Sequence, residues 1–206
     1  MHNFTFHNPT KLVFGQGSIN QLTQLLPQDA KLLLTFGGGS VKRNGVYEAV
    51  MAQLEGFQTV EFWGIEPNPK VETLRKAIEL GKREGVTFVL AVGGGSVLDA
   101  SKLIVNAIPS DRDAWDLVLQ GADKTVQTLP LGTVLTIPAT GSEMNRGAVI
   151  SSEATHEKFG FYNEYPRFSI LDPTYTYSLP DYQLACGIAD SFVHVVEQYL
   201  TRTGES

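Results

Sequence analysis

Apolar runs alternate with amphipathic stretches through the first half of the chain, and their periods predict the elements. Residues 31–36 read as a buried strand, 58–63 as a second and 87–92 as a third. Between and after them, residues 44–54, 71–83 and 96–107 carry the helical period. In the second of these, Val71, Leu74, Ile78 and Lys82 mark out one face. Strands separated by helices of this length predict parallel pairing through helical crossovers. Ahead of them, Phe4, Phe6, Leu12 and Phe14 suggest an N-terminal hairpin or extended arm. Further on, residues 133–137 read as another buried strand, 147–151 and 158–162 as a strand pair, and 168–171 as one more short strand.

Asp172-Pro173 and Leu179-Pro180-Asp181 then punctuate the chain, and a domain boundary is expected there. Residues 182–201 read as a helix with Asp181 as its N-cap. That helix is apolar nearly all round, through Leu184, Ile188, Phe192, Val193, Val196 and Tyr199, a pattern that belongs inside a bundle. Too few residues follow to supply partner helices. The expected fold class is therefore α/β: a Rossmann-like parallel sheet over residues 1–178, forming a dinucleotide-binding domain. The first helix of a truncated all-α domain follows over 179–206.

The chain has 206 residues and a formal net charge of −6. The acidic balance argues against nucleic acid or an anionic membrane as partner. No apolar run approaches the length of a membrane span, and the N-terminus lacks the pattern of a secretory signal. Cys186 is the only cysteine, so no intrachain disulfide can form. A cytoplasmic location is expected.

The run from Leu90 to Lys102 carries the clearest chemistry. An apolar stretch ends in Gly93, Gly94, Gly95 and Ser96, and a helical pattern begins at once. Glycines let a backbone approach an anion closely, and the first N–H groups of a helix point at it with the positive end of the dipole. The loop lacks the third glycine of G-x-G-x-x-G, since Leu98 stands there, and it lacks the ending of a P-loop. A tight strand-to-helix turn is the bland alternative. The same four residues recur at Gly37, Gly38, Gly39 and Ser40, again between a predicted strand and a helix, so two loops can hold two anionic groups of one extended cofactor. No acid lies between Lys31 and Asn44 to grip a ribose 2′-hydroxyl. Ser40, Lys42 and Arg43 are donors suited to a 2′-phosphate, which points to NADP(H); as simple solvated charges, Lys42 and Arg43 would mean nothing. Thr136, Thr140, Ser142 and Asn145 form a third, hydroxyl-rich loop, suited to phosphate or amide groups or simply to turn and capping bonds.

Asp190 and His194 lie four apart on the last helix and share a face. Carboxylate and imidazole suit zinc or ferrous iron. A plain Asp–His contact inside a core is the alternative, because a catalytic metal normally takes three protein ligands. His2, His7 and His156 do not complete a set.

Together these residues resemble the iron-containing (group III) alcohol dehydrogenase family, in its branch of NADP-dependent butanol dehydrogenases and broad-specificity aldehyde reductases. Phe14 to Gly17, Gly37 to Lys42, Gly64 to Pro69, Val92 to Asp99, Ile137 to Glu143, Leu171 to Pro173 and Asp190 to Tyr199 carry the resemblance. It implies a cofactor in a cleft between an α/β and a helical domain, above a divalent metal, Fe2+ or Zn2+. Gly93, Gly94, Gly95, Ser96 and Asp99 would surround the pyrophosphate, and Gly37, Gly38 and Ser40 the 2′-phosphate. Thr136, Thr140 and Asn145 would line the inner cleft, and Lys158 and Leu179 would touch cofactor. Asp190 and His194 fall on the first two metal ligands; the family's two further histidines do not occur here, and the chain is about half the family's length. The implied reaction passes hydride between the nicotinamide and a small alcohol or aldehyde. No side chain is an obvious general acid. A homodimer is the expected assembly. The alternatives are a glycerol dehydrogenase or dehydroquinate synthase-like relative, or a nucleotide-binding and association module without catalysis.

Overall fold

In the computed structural model, which describes residue 3 and residues 5–201, six strands form one wholly parallel sheet. In chain order these are β1 (Lys11–Phe14), β2 (Lys31–Phe36), β3 (Gln58–Phe62), β4 (Phe88–Gly94), β5 (Leu131–Ile137) and the last strand, Phe168–Leu171. The intervening β6 (Gly147–Ser152) and β7 (Glu157–Tyr162) pair antiparallel as a separate hairpin, which makes the last sheet strand β8. The order across the sheet is β1-β8-β5-β4-β2-β3.

Alternate residues of the central strands enter opposite cores, as expected of a parallel sheet covered on both faces. Leu33, Val89, Ala91, Leu131 and Leu135 face one core, together with α4 (Val71–Glu84), α5 (Gly95–Ala107), α6 (Ala114–Gln120) and the hairpin. Leu32, Leu34, Phe36, Leu90, Val92, Val134 and Ile170 face the other, beneath the short α1 (Leu22–Leu25), α2 (Ser40–Arg43) and α3 (Val46–Gln53).

Four expectations are corrected. Of the hairpin or extended arm expected at the N-terminus, the hairpin does not form: Phe14 and Leu12 belong to β1, which pairs parallel with β8, and Phe4 lies outside the described residues. The helix expected over 44–54 starts earlier and is broken, because Gly45 takes φ +78° and separates α2 from α3. On α4 the buried face is Val71, Leu74, Ala77, Ile78 and Gly81, whereas Lys82 reaches out to donate to the Ser110 carbonyl. The final helix α7 runs Asp181–Leu200 with Pro180, not Asp181, at the N-cap, and no side chain caps it. None of its residues is buried: Ile188, Phe192, Val195 and Tyr199 stand in the open.

Two of the elements without a sequence expectation are fastened by aspartates. α6 is capped by Asp113, whose carboxylate accepts the Trp115 N–H at 2.8 Å, and the Arg75 guanidinium holds the same carboxylate at 2.7 and 2.9 Å. A 3-10 turn over Pro173–Thr176 is capped by Asp172, which also accepts the Gly17 N–H and so ties the end of β8 to the turn after β1.

Candidate cofactor site

The chain leaves β2 for β3 on one side of it, returns on the other as β4, and continues to β5. The carboxyl ends of β2 and β4 therefore flank the topological switch point, the crevice where open α/β sheets hold ligands. Both glycine loops begin there.

In the first loop, two glycines have a local reason. Gly39 takes φ +93°, and a Cβ on Gly37 would lie 3.3 Å from the Ile65 carbonyl oxygen. Gly38 has none: a Cβ there would meet nothing within 4 Å, and its φ is not left-handed. In the second loop the register slips between Gly93 and Gly94, which turns the chain into α5. A Cβ on Gly93 would press on Val97, 2.7 Å from its Cγ2, and one on Gly95 would sit 3.2 Å from the Thr140 Oγ1. α5, with Ser96 in its first turn, starts directly at the carboxyl end of β4.

Two cavities lie among these loops. Ser40, Arg43, Asn44, Thr136, Tyr175 and Leu179 help to line one of about 310 Å3. Asp99, Thr140, Ser142, Asn145, Arg146 and Tyr162 help to line another of about 380 Å3. Of the expected contacts, Ser40, Thr136 and Leu179 line the first cavity and Asp99, Thr140 and Asn145 the second, whereas Gly37, Gly38, Gly93, Gly94, Gly95 and Ser96 line neither. Lys158 lines neither; its Nζ donates to the Asn68 Oδ1 at 2.7 Å.

Lys42 and Arg43 part company in the fold. The Lys42 Nζ sits over the rings of Trp63 and Tyr47, 4.2 and 4.9 Å from their centroids, while Arg43 lines the first cavity. Of the two neighbouring cations, Arg43 lines the cavity and Lys42 does not.

Three side chains at the site had drawn no expectation. The Tyr175 hydroxyl is buried without a hydrogen-bond partner among the described residues, and burial, with the nearby Asp172, pushes its pKa up to about 12. Arg146 lines the second cavity. Lys102 on α5 is fully buried, and its Nζ donates to the Ser142 Oγ at 2.8 Å, the Asn145 Oδ1 at 2.9 Å and the Gly147 carbonyl at 2.6 Å. Burial pushes its pKa down to about 8, against the opposing pull of Asp99 and Glu143. Asp99 accepts from the Ser142 hydroxyl at 2.6 Å and from the Val149 N–H at 2.9 Å. The only sequence signal for Lys102 was its place three residues after Asp99 on a largely apolar helix.

On α7 the His194 Nε2 lies 3.8 Å from the Asp190 Oδ1, with both side chains about half exposed. Among the described residues, no group of three or more His, Cys, Asp or Glu side chains converges as a metal site. The donor types suit a divalent ion, and the pair can fill two positions around one.

The sequence model of the iron-containing alcohol dehydrogenases matches residues 9–173. The chain belongs to the iron-containing alcohol dehydrogenase family. It is 50% identical to the NADPH-dependent aldehyde reductase YqhD of Escherichia coli K12, an alignment covering 98% of this chain and 53% of that protein. It is 43% identical to the NADH-dependent butanol dehydrogenase B of Clostridium acetobutylicum, with the same coverages. The crystal structure of E. coli YqhD superposes with a TM-score of 0.91 over 97% of this chain and 52% of that one. The chain spans about half the length of the curated relatives it matches. The family model takes in both glycine loops and the hydroxyl-rich loop and ends just past β8, so α7 lies beyond it. Among the described residues, no helix is long and apolar enough to cross a membrane.

Proposed function

We propose that this chain is the cofactor-binding half of a metal-assisted NADP(H)-dependent alcohol dehydrogenase or aldehyde reductase. The observation that carries this reading is the switch-point crevice, which has no acid on its β2 loop and has Ser40 and Arg43 on the cavity wall. A carboxylate there would repel a 2′-phosphate, whereas a hydroxyl and a guanidinium attract one. Gly38 strengthens the fit, because a residue with no folding reason to lack a Cβ leaves room for a ligand to approach the backbone.

The cofactor would extend from Ser40 and Arg43, past the Gly93–Ser96 turn, to Thr140 and Asn145. The N-terminus of α5 would face its diphosphate. Thr140 and Asn145 would orient the inner, nicotinamide end. When bound, the nicotinamide supplies hydride and a divalent metal supplies Lewis acidity to the substrate oxygen. Asp190 and His194 would hold two positions around that metal. Two donors are half of what a tetrahedral site takes, so the described residues bind cofactor without completing the metal centre. The second reading is a nucleotide-binding and association module, for which the open apolar face of α7, with Ile188, Phe192, Val195 and Tyr199 exposed, is the supporting observation.

Calorimetry with NADPH and NADH, followed by an assay of butanal reduction with added zinc or ferrous iron, tests both. Tighter binding of NADPH than NADH is the expected result. Tighter binding of NADH overturns the cofactor assignment. Turnover by this chain overturns the module reading.

A further inference from the structure

We propose that Lys102 is the positioning residue for the inner end of the cofactor. Resting on the cofactor reading above, the proposal says which buried group gives that end of the site its shape. Lys102 and Asp99 lie one turn apart on α5, and both hold Ser142: Lys102 donates to its hydroxyl, which in turn donates to Asp99. The other two Nζ bonds reach the Asn145 side chain and the Gly147 carbonyl. The Asn145 Oδ1 also accepts the Gly147 N–H, so its amide is held from two sides. Lys102 thus grips both ends and one side chain of the Ser142–Gly147 segment, while Asn8 and Ser169 hold only the carbonyls of Met144 and Glu143 between them.

A buried ammonium is costly, and this one makes no ion pair among the described residues. All three of its protons go instead to one loop. A core packed for stability alone would be better served by an apolar side chain of the same length. What the charge achieves is orientation. It turns the Asn145 carbonyl oxygen inward, which aims the Asn145 amide nitrogen toward the Thr140 carbonyl and the cavity that Thr140 and Asn145 share. The Gly37–Ser40 loop lies two strands away in the sheet, beyond β4, and Lys102 makes no hydrogen bond to it.

That separation supplies a test that general loosening of the fold cannot mimic. NADPH spans both ends of the site, whereas 2′,5′-ADP carries only the adenosine and 2′-phosphate end. Titrated calorimetrically, Lys102→Met is expected to weaken NADPH about tenfold, the loss of one hydrogen bond from a misaimed Asn145 amide, while the 2′,5′-ADP affinity stays put. Equal NADPH affinity in wild type and variant overturns the proposal, as does an equal loss for both ligands. A wild-type chain that binds neither ligand overturns the cofactor reading instead. If Lys102→Met does not fold, the wild-type chain decides. Asp99 and Glu143 are the charged groups facing Lys102, and its proton leaves near pH 8. The NADPH affinity is then expected to fall between pH 7 and 9 while the 2′,5′-ADP affinity stays flat; parallel profiles overturn the proposal.

Discussion

Lys42 and Trp63 are joined by a cation–π contact, with the ammonium 4.2 Å from the ring centroid. Trp63 in turn stacks on Phe36 at 4.1 Å, and the Glu61 carboxylate accepts from both the Trp63 Nε1 and the Tyr47 hydroxyl at 2.7 Å. These contacts tie α2, through Lys42, to Trp63 just past the edge strand β3. They also decide which of two adjacent cations faces the crevice, because Lys42 is engaged by the rings and Arg43 is left on the cavity wall.

Arg43→Ala is therefore expected to cost NADPH about tenfold in affinity, the worth of one charge-assisted hydrogen bond at a partly solvated site. NADH, lacking the 2′-phosphate, should be unaffected. Lys42→Met should change the NADPH affinity far less. Paired titrations of the two variants check this, and a larger effect at Lys42 than at Arg43 contradicts it.

The glycines of the two loops should separate folding from binding. Gly93→Ala places a Cβ 2.7 Å from a branched, buried Val97, which cannot swing aside. Overpacking of this kind costs about 1–3 kcal/mol, readable as a lower urea midpoint. Gly38→Ala meets no atom within 4 Å and should hold or slightly raise stability, yet weaken NADPH by filling the approach to the backbone. A Gly38→Ala chain with unchanged NADPH affinity would show that the ligand does not come close there.

The pattern of apolar runs located β2 and β8 to the residue and α4 to within one, because each is bounded by Gly or Pro or by a sharp change of period. It failed where the deciding contact is distant. The partner of β1 is β8, more than 150 residues on, and nothing local distinguishes that pairing from a hairpin. Seven residues of α6 are too few to show a helical period, although Asp113 was a usable N-cap signal. The site divides in the same way. Its loops were legible because glycine and hydroxyl residues repeat after predicted strands. Lys102 was not, since a lysine on a helix ordinarily reads as a solvated charge. The contact of Lys42 with Trp63 was equally hidden, because only the fold brings the two together.

Acid should weaken the fold through Asp123. The Ser110 hydroxyl and both the hydroxyl and N–H of Thr125 donate to its carboxylate, which holds its pKa down to about 2 from an ordinary 3.8. A carboxyl depressed in the folded state stabilises it above the unfolded value and loses that contribution as pH falls through the folded one. Stability should therefore decline from about pH 4 to pH 2, and Asp123→Asn should flatten that part of the profile. Urea midpoints taken across this window on both chains provide the comparison.

The last prediction concerns α7. Asp190 and His194 face the same side at 3.8 Å, too far for a hydrogen bond and a fitting separation for two ligands of one ion. Zinc added to this chain should shift the His194 imidazole resonances in a titration that a strong chelator reverses, since two protein donors hold an ion loosely. Asp190→Ala should weaken the response and His194→Ala should remove it, with neither change altering the NADPH affinity of loops that lie elsewhere. If zinc instead moves His7 or His156 and leaves His194 untouched, the pair is an ordinary surface contact and the metal reading of this helix is wrong.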